Sequence, residues 1–75
     1  MPKLPRISGA EIIKALEKSG FRQARQRGSH VVMRLDDKDR ARGCVVPLHK
    51  EVAVGTLRSI LRQANITPDE FIALL

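Results

Sequence analysis

A chain of 75 residues is long enough for one small domain, and 43% hydrophobic residues argue against disorder. Fourteen Lys and Arg stand against eight Asp and Glu, a net charge of +6 with a pI near 10.5. That balance points to a polyanion, RNA or DNA first, with plain solubility or an acidic protein partner as the alternative. One cysteine and two histidines leave the classical zinc patterns missing, so neither metal nor other cofactor is expected. No apolar run approaches the roughly 20 residues of a membrane span, and the N-terminal stretch has no signal-peptide core, so a cytoplasmic protein with no membrane association is expected.

Pro2 and Pro5 keep the first residues extended. The stretch "SGAE" then reads as a capping box, with Ser8 at the cap and Glu11 bonding back to it. Ile12, Ile13 and Leu16 share one helical face, and Gly20 is placed for the left-handed residue that ends the helix, followed by Phe21 as its hydrophobic contact. The first helix is predicted over about Gly9–Ser19.

Residues 21–26 are short and mixed, an edge strand. Gly28 marks a turn. His30 to Leu35 is predicted to be a strand with Val31, Met33 and Leu35 on one face and His30, Val32 and Arg34 on the other. "DDKDRARG" reads as a charged hairpin loop. Cys44 to Leu48 follows as a third strand, which Pro47 ends or confines to an edge, with Cys44 as a small buried hydrophobe.

From Val54 the period turns helical, with Leu57, Ile60, Leu61 and Ala64 on one side and Asn65 at the left-handed stop. "TPDE" is a second capping box, with Thr67 at the cap, Pro68 at the first helical position and Glu70 at the third. It opens a short last helix carrying Phe71, Leu74 and Leu75. The order α-β-β-β-α with an added C-terminal helix predicts one α+β domain over residues 1–75. It has two layers, a three-stranded antiparallel sheet with the helices on one face. With no Trp or Tyr and only Phe21 and Phe71, its core must be aliphatic.

His30 is the sharpest chemical feature. A histidine can give or take a proton near neutral pH. Arginines at Arg25, Arg27 and Arg34 are suited to hold and neutralise phosphate. Together they fit RNA cleavage, in which a 2′-OH attacks the adjacent phosphorus without a metal. Gly28 would let backbone approach the substrate, Ser29 would donate to a phosphate oxygen, and Lys50 is a further candidate phosphate contact. His49, after Pro47-Leu48, is a candidate second member of an acid–base pair. The plainer readings stay open: His30 as a partly exposed strand residue in a solvated basic face, and His49 as a loop residue. The helix start at Gly55-Thr56 is an anion site on general physics alone. Arg58 and Arg62, four apart, form a solvated stripe. Asp36, Asp37 and Asp39 cluster without the glycine and distal glutamate of a calcium loop, so no metal is expected there.

The segments "MPKLPRISGAEIIKALEKSGF", "RQRGSHVVM", "VVPLHKEVAVGTLRSILRQANIT" and "DEF", in this order from Leu4 to about Phe71, resemble the HicA family, also described as YcfA-like. The family is the toxin half of bacterial toxin–antitoxin pairs. The resemblance implies a fold similar to double-stranded RNA-binding domains and activity as an mRNA interferase, an endoribonuclease that stops translation. It also implies a catalytic histidine in the Gly-Ser-His motif, here His30, and a HicB-type antitoxin that covers the active site. Pro47 and His49 match the family's P-x-H, and Gly55, Thr56 and Leu57 its G-T-L. Val31, Val32 and Met33 stand where many members carry a further histidine or aromatic residue, which removes a possible helper beside His30. The competing reading is a non-catalytic module that binds double-stranded RNA; a third is a basic face that only docks an acidic antitoxin.

Overall fold

The computed structural model describes residues 3–38 and 40–75, and the expectations placed on Pro2 and Asp39 fall outside them. The order is α1 (Gly9–Lys18), β1 (Arg22–Arg27), β2 (His30–Asp36), β3 (Ala41–Pro47), α2 (Val54–Ala64) and α3 (Pro68–Ala73). The strands form an antiparallel sheet in the order β1-β2-β3. The whole is 31 × 31 × 18 Å, the thin dimension of one sheet and one helix layer. This is the predicted two-layer α+β arrangement, consistent with a double-stranded RNA-binding-domain-like fold.

Both ends of α1, the close of α2 and the start of α3 fall where local chemistry directs. At α1 the Glu11 N–H donates to Ser8 Oγ (3.1 Å) and the Ser8 N–H donates back to Glu11 Oε1 (3.0 Å). At the other end Gly20 takes a φ of +105°, the Phe21 N–H donates to the Leu16 carbonyl (3.1 Å) and the Gly20 N–H to that of Glu17 (3.0 Å). That pair of bonds is the Schellman closure, and buried Phe21 supplies its apolar contact. Asn65 closes α2 the same way, with φ 56°, an Ile66 N–H bond to Leu61 and an Asn65 N–H bond to Arg62. Thr67 and Glu70 repeat the reciprocal capping box at α3, with Pro68 at its start.

The capping bonds to Ser8 hold the Glu11 carboxyl below its usual range, and those to Thr67 do the same for Glu70. A carboxylate whose folded pKa is depressed stabilises the fold above the unfolded pKa, and that contribution is lost as pH falls through the folded pKa. Melting temperature is therefore expected to decline below about pH 4. Glu11→Gln, which keeps the capping geometry and cannot titrate, is expected to flatten that decline in thermal melts between neutral and acid pH. An identical acid decline in the variant would contradict the assignment.

Alternation in β2 separates the faces as predicted. Val31 and Met33 are buried and Leu35 half-buried, while His30 and Arg34 are exposed and Val32 is half-buried. The inward set joins Ile12, Leu16, Val46, Leu57, Leu61 and Phe71 in one core cluster. Cys44 is part of that core, and burial pushes its thiol up to about 11, which makes it a packing group and a poor nucleophile.

Three boundaries differ from the sequence reading. β3 begins at Ala41, three residues before Cys44, and β2 continues to Asp36, so the hairpin loop is shorter than "DDKDRARG" suggests. Ala41 and Gly43 pair with Asp36 and Arg34 on a face that no helix covers, so the ladder there needs no apolar residue to form. Arg42, on the other face, reaches the end of α2 and donates from Nη1 to the carbonyls of Ala64 and Asn65 (3.4 Å each), a cation placed at a helix C-terminus. The strand also stops at Pro47, leaving Leu48 outside it and exposed.

Candidate active site on the open face of the sheet

β1 and β2 are joined by the two-residue turn Gly28–Ser29, across which Arg27 and His30 are paired. Gly28 has φ +55° and Ser29 is not in the left-handed region, the pattern of a hairpin turn that requires glycine first. The Gln26 side-chain amide donates to the Gly28 carbonyl (3.0 Å), and the Leu48 N–H donates to the Ser29 carbonyl (2.7 Å). The backbone leading into His30 is thus tied on one side to β1 and on the other to the continuation of β3. A Cβ at Gly28 would meet nothing within 4 Å, so the turn faces open space.

Residues directly opposite in an antiparallel ladder share a face. His30 therefore shares the open face with Arg27, and Val32 shares it with Arg25. Gln23 and Gln26 lie on the other side, where they line a groove with Ala10, Ile13 and Val31. Among the described residues, Arg25 and Arg27 have no carboxylate within ion-pair distance, and both are exposed. Arg34 is on the same face and is engaged: it contacts Asp36 at 3.3 Å. His30, Arg25, Arg27 and Arg34 are thus brought together as the sequence suggested.

His49 and Lys50 sit differently. His30 is opposite Pro47, so His49 lies just beyond the same end of the sheet. Its carbonyl accepts the Gly9 N–H (2.9 Å), the Val52 N–H donates to the Ile7 carbonyl (2.8 Å), and Arg6 pairs with Glu51 (3.1 Å). These contacts lace the loop carrying His49 and Lys50 to the start of α1. Gly9 is required there, because a Cβ would overlap the Pro47 carbonyl. Ala53 is the N-cap of α2 and supplies no side-chain cap, and Gly55 and Thr56 lie in the first turn of that helix.

Sequence reasoning missed Arg22 and Asp36 on this face. Arg22 is paired with Arg34 across the ladder and contacts Asp36 at 3.0 Å. Its two guanidinium partners hold the Asp36 carboxyl below the usual carboxylate range. In a regular strand Arg22 would alternate onto the opposite side from Arg25 and Arg27; a β-bulge between Gln23 and Arg25 reverses that.

A family model described as the HicA toxin of bacterial toxin–antitoxin systems matches residues 9–66, most of the chain. The chain belongs to the HicA toxin family. As a HicA-family protein it is the toxin half of a toxin–antitoxin pair, with a cognate antitoxin as its partner. The Gly-Ser-His turn, the His49 loop and the Gly55–Leu57 helix start all fall inside the HicA match, whereas α3 lies beyond it. No curated protein and no solved structure matches significantly. No helix among the described residues is long and apolar enough to cross a membrane.

Proposed function

We propose that this toxin is a metal-independent endoribonuclease, an mRNA interferase that stops translation by cutting mRNA, with His30 as its catalytic histidine. The observation that carries the reading is the placement of His30: exposed, directly after a pinned hairpin turn, and on the same open face as Arg25 and Arg27, which have no ion-pair partner among the described residues. The reaction is transesterification. The substrate's 2′-oxygen bonds to phosphorus as its proton leaves to a base, and the bond to the 5′-oxygen breaks as that oxygen gains a proton. His30 serves one of these transfers. His49, at the same end of the sheet, is the candidate for the other. Arg25 and Arg27 neutralise the phosphate, Ser29 and the open space at Gly28 accommodate it, and Lys50 and Arg34 contact flanking phosphates. A HicB-type antitoxin silences the toxin by covering this face.

The competing reading is a module that binds double-stranded RNA without cutting it, which the fold class also suits. Incubating the pure protein with end-labelled RNA in EDTA separates them. Cleavage is expected; RNA that is retarded on a gel and stays intact would establish the binding module instead.

A further inference from the structure

Positions 22, 25 and 27 of a regular strand do not share a face, since side chains alternate. The register slip between Gln23 and Arg25 changes this, so that Arg22, Arg25 and Arg27 stand opposite Arg34, Val32 and His30 in turn. Each step is two residues of β2, about 6.6 Å, and the row from Arg34 to His30 covers about 13 Å. Beside the row the floor is apolar or small: Val32 is paired with Val45, which is 42% exposed, and Arg34 with Gly43. Asp36 closes the end far from His30, where it holds both Arg22 (3.0 Å) and Arg34 (3.3 Å).

We propose that this row is a track for the backbone of one RNA strand running to His30, and that Asp36 occupies a phosphate's place on Arg22 and Arg34 until RNA displaces it. The inference rests on the reading of this face as the RNA-cleaving site. A guanidinium binds carboxylate and phosphate oxygens through the same N–H donors, so a phosphate can replace Asp36 on both arginines. The Asp36 pairs are exposed, hence weak and screened by salt. Arg25 and Arg27 hold the phosphates next to His30 at all times; Arg22 and Arg34 engage the farther ones only when they leave Asp36. A single short row on one strand suits one backbone. A duplex is instead contacted across two successive minor grooves. Asp36 thereby weakens binding of RNA that reaches the far end, and RNA too short to reach Arg22 and Arg34 is indifferent to it.

The test is binding of a short labelled single-stranded 2′-O-methyl RNA, which has no 2′-OH and stays uncut, followed by anisotropy across a salt series. Arg22→Gln and Arg25→Gln are each expected to flatten the salt dependence of log K by about 0.7. Asp36→Asn is expected to tighten binding several-fold, and adding Arg22→Gln to it is expected to remove most of that gain. Wild-type affinity in both Arg22→Gln and Asp36→Asn would overturn the track. So would an effect of the two confined to antitoxin binding, which would make the face a protein interface. Cleavage of unmodified RNA by the wild type is read in parallel. The track without cleavage leaves this inference standing and removes the enzymatic reading; cleavage indifferent to Arg22 and Asp36 does the reverse.

Discussion

His30→Ala is expected to cut RNA about 100 to 10,000 times more slowly than the wild type, the usual loss when a general acid or base is removed. It is also expected to fold normally. His30 is exposed at the first residue of β2, outside the core cluster, and no hydrogen bond of its side chain to a described residue is lost. Exposed substitutions away from caps and core usually change stability by less than about 0.5 kcal/mol. Initial cleavage rates and a circular-dichroism melt therefore diverge for this variant: the rate collapses and the melt does not. Cells expressing it should grow, and it should still bind its antitoxin, because folding is retained. A variant that cleaves at the wild-type rate would remove His30 from the chemistry and return it to the role of a solvated strand residue.

Phe71→Ala is expected to have the opposite profile, a loss of about 3–5 kcal/mol in stability with no direct bearing on catalysis. The side chain is fully buried at 0% exposure. It belongs to a helix that begins two residues after the family-matched region ends at residue 66. Six residues, Pro68–Ala73, are too few to form a stable helix alone. The Thr67–Glu70 capping box and Pro68 start it, and docking of Phe71 into the core keeps it. A chain of this length has roughly 4–11 kcal/mol of total stability, so the loss is a large share of it. The melting temperature should fall by more than about 10 °C, read by thermal and urea unfolding. An unchanged melting temperature would mean that α3 is not part of the cooperative unit.

Much of this molecule is legible in its sequence because much of it is decided locally. Ser8 with Glu11, Gly20 with Phe21, Asn65, and Thr67 with Glu70 each declare a helix end through groups a few residues apart. The odd and even positions of β2 likewise declare their faces, because one side must be buried. What escaped depends on pairing between strands. Ala41–Gly43 carry no alternation, since the open face accepts any residue that can join the ladder, and so they read as loop. The bulge at Ala24 leaves no mark in "RQARQR", yet it alone moves Arg22 onto the face of Arg25 and Arg27. Asp36 read as one more loop carboxylate; only the ladder shows that it is held between two arginines. For His30, alternation supplies its face and turn chemistry its rigidity, but neither supplies a role. The role proposed for it rests on the family resemblance together with the arginines beside it.

The reaction we propose is metal-independent attack by the substrate's own 2′-OH, assisted by His30. The most direct test is to cut an RNA in EDTA, determine the fragment ends, and repeat the reaction with a single 2′-deoxy substitution at the cleaved nucleotide. A 2′,3′-cyclic phosphate on the upstream fragment, a 5′-hydroxyl on the downstream one, and no cut at the substituted position are expected. Fragments with 5′-phosphate ends, or cleavage that survives the 2′-deoxy substitution, would contradict it.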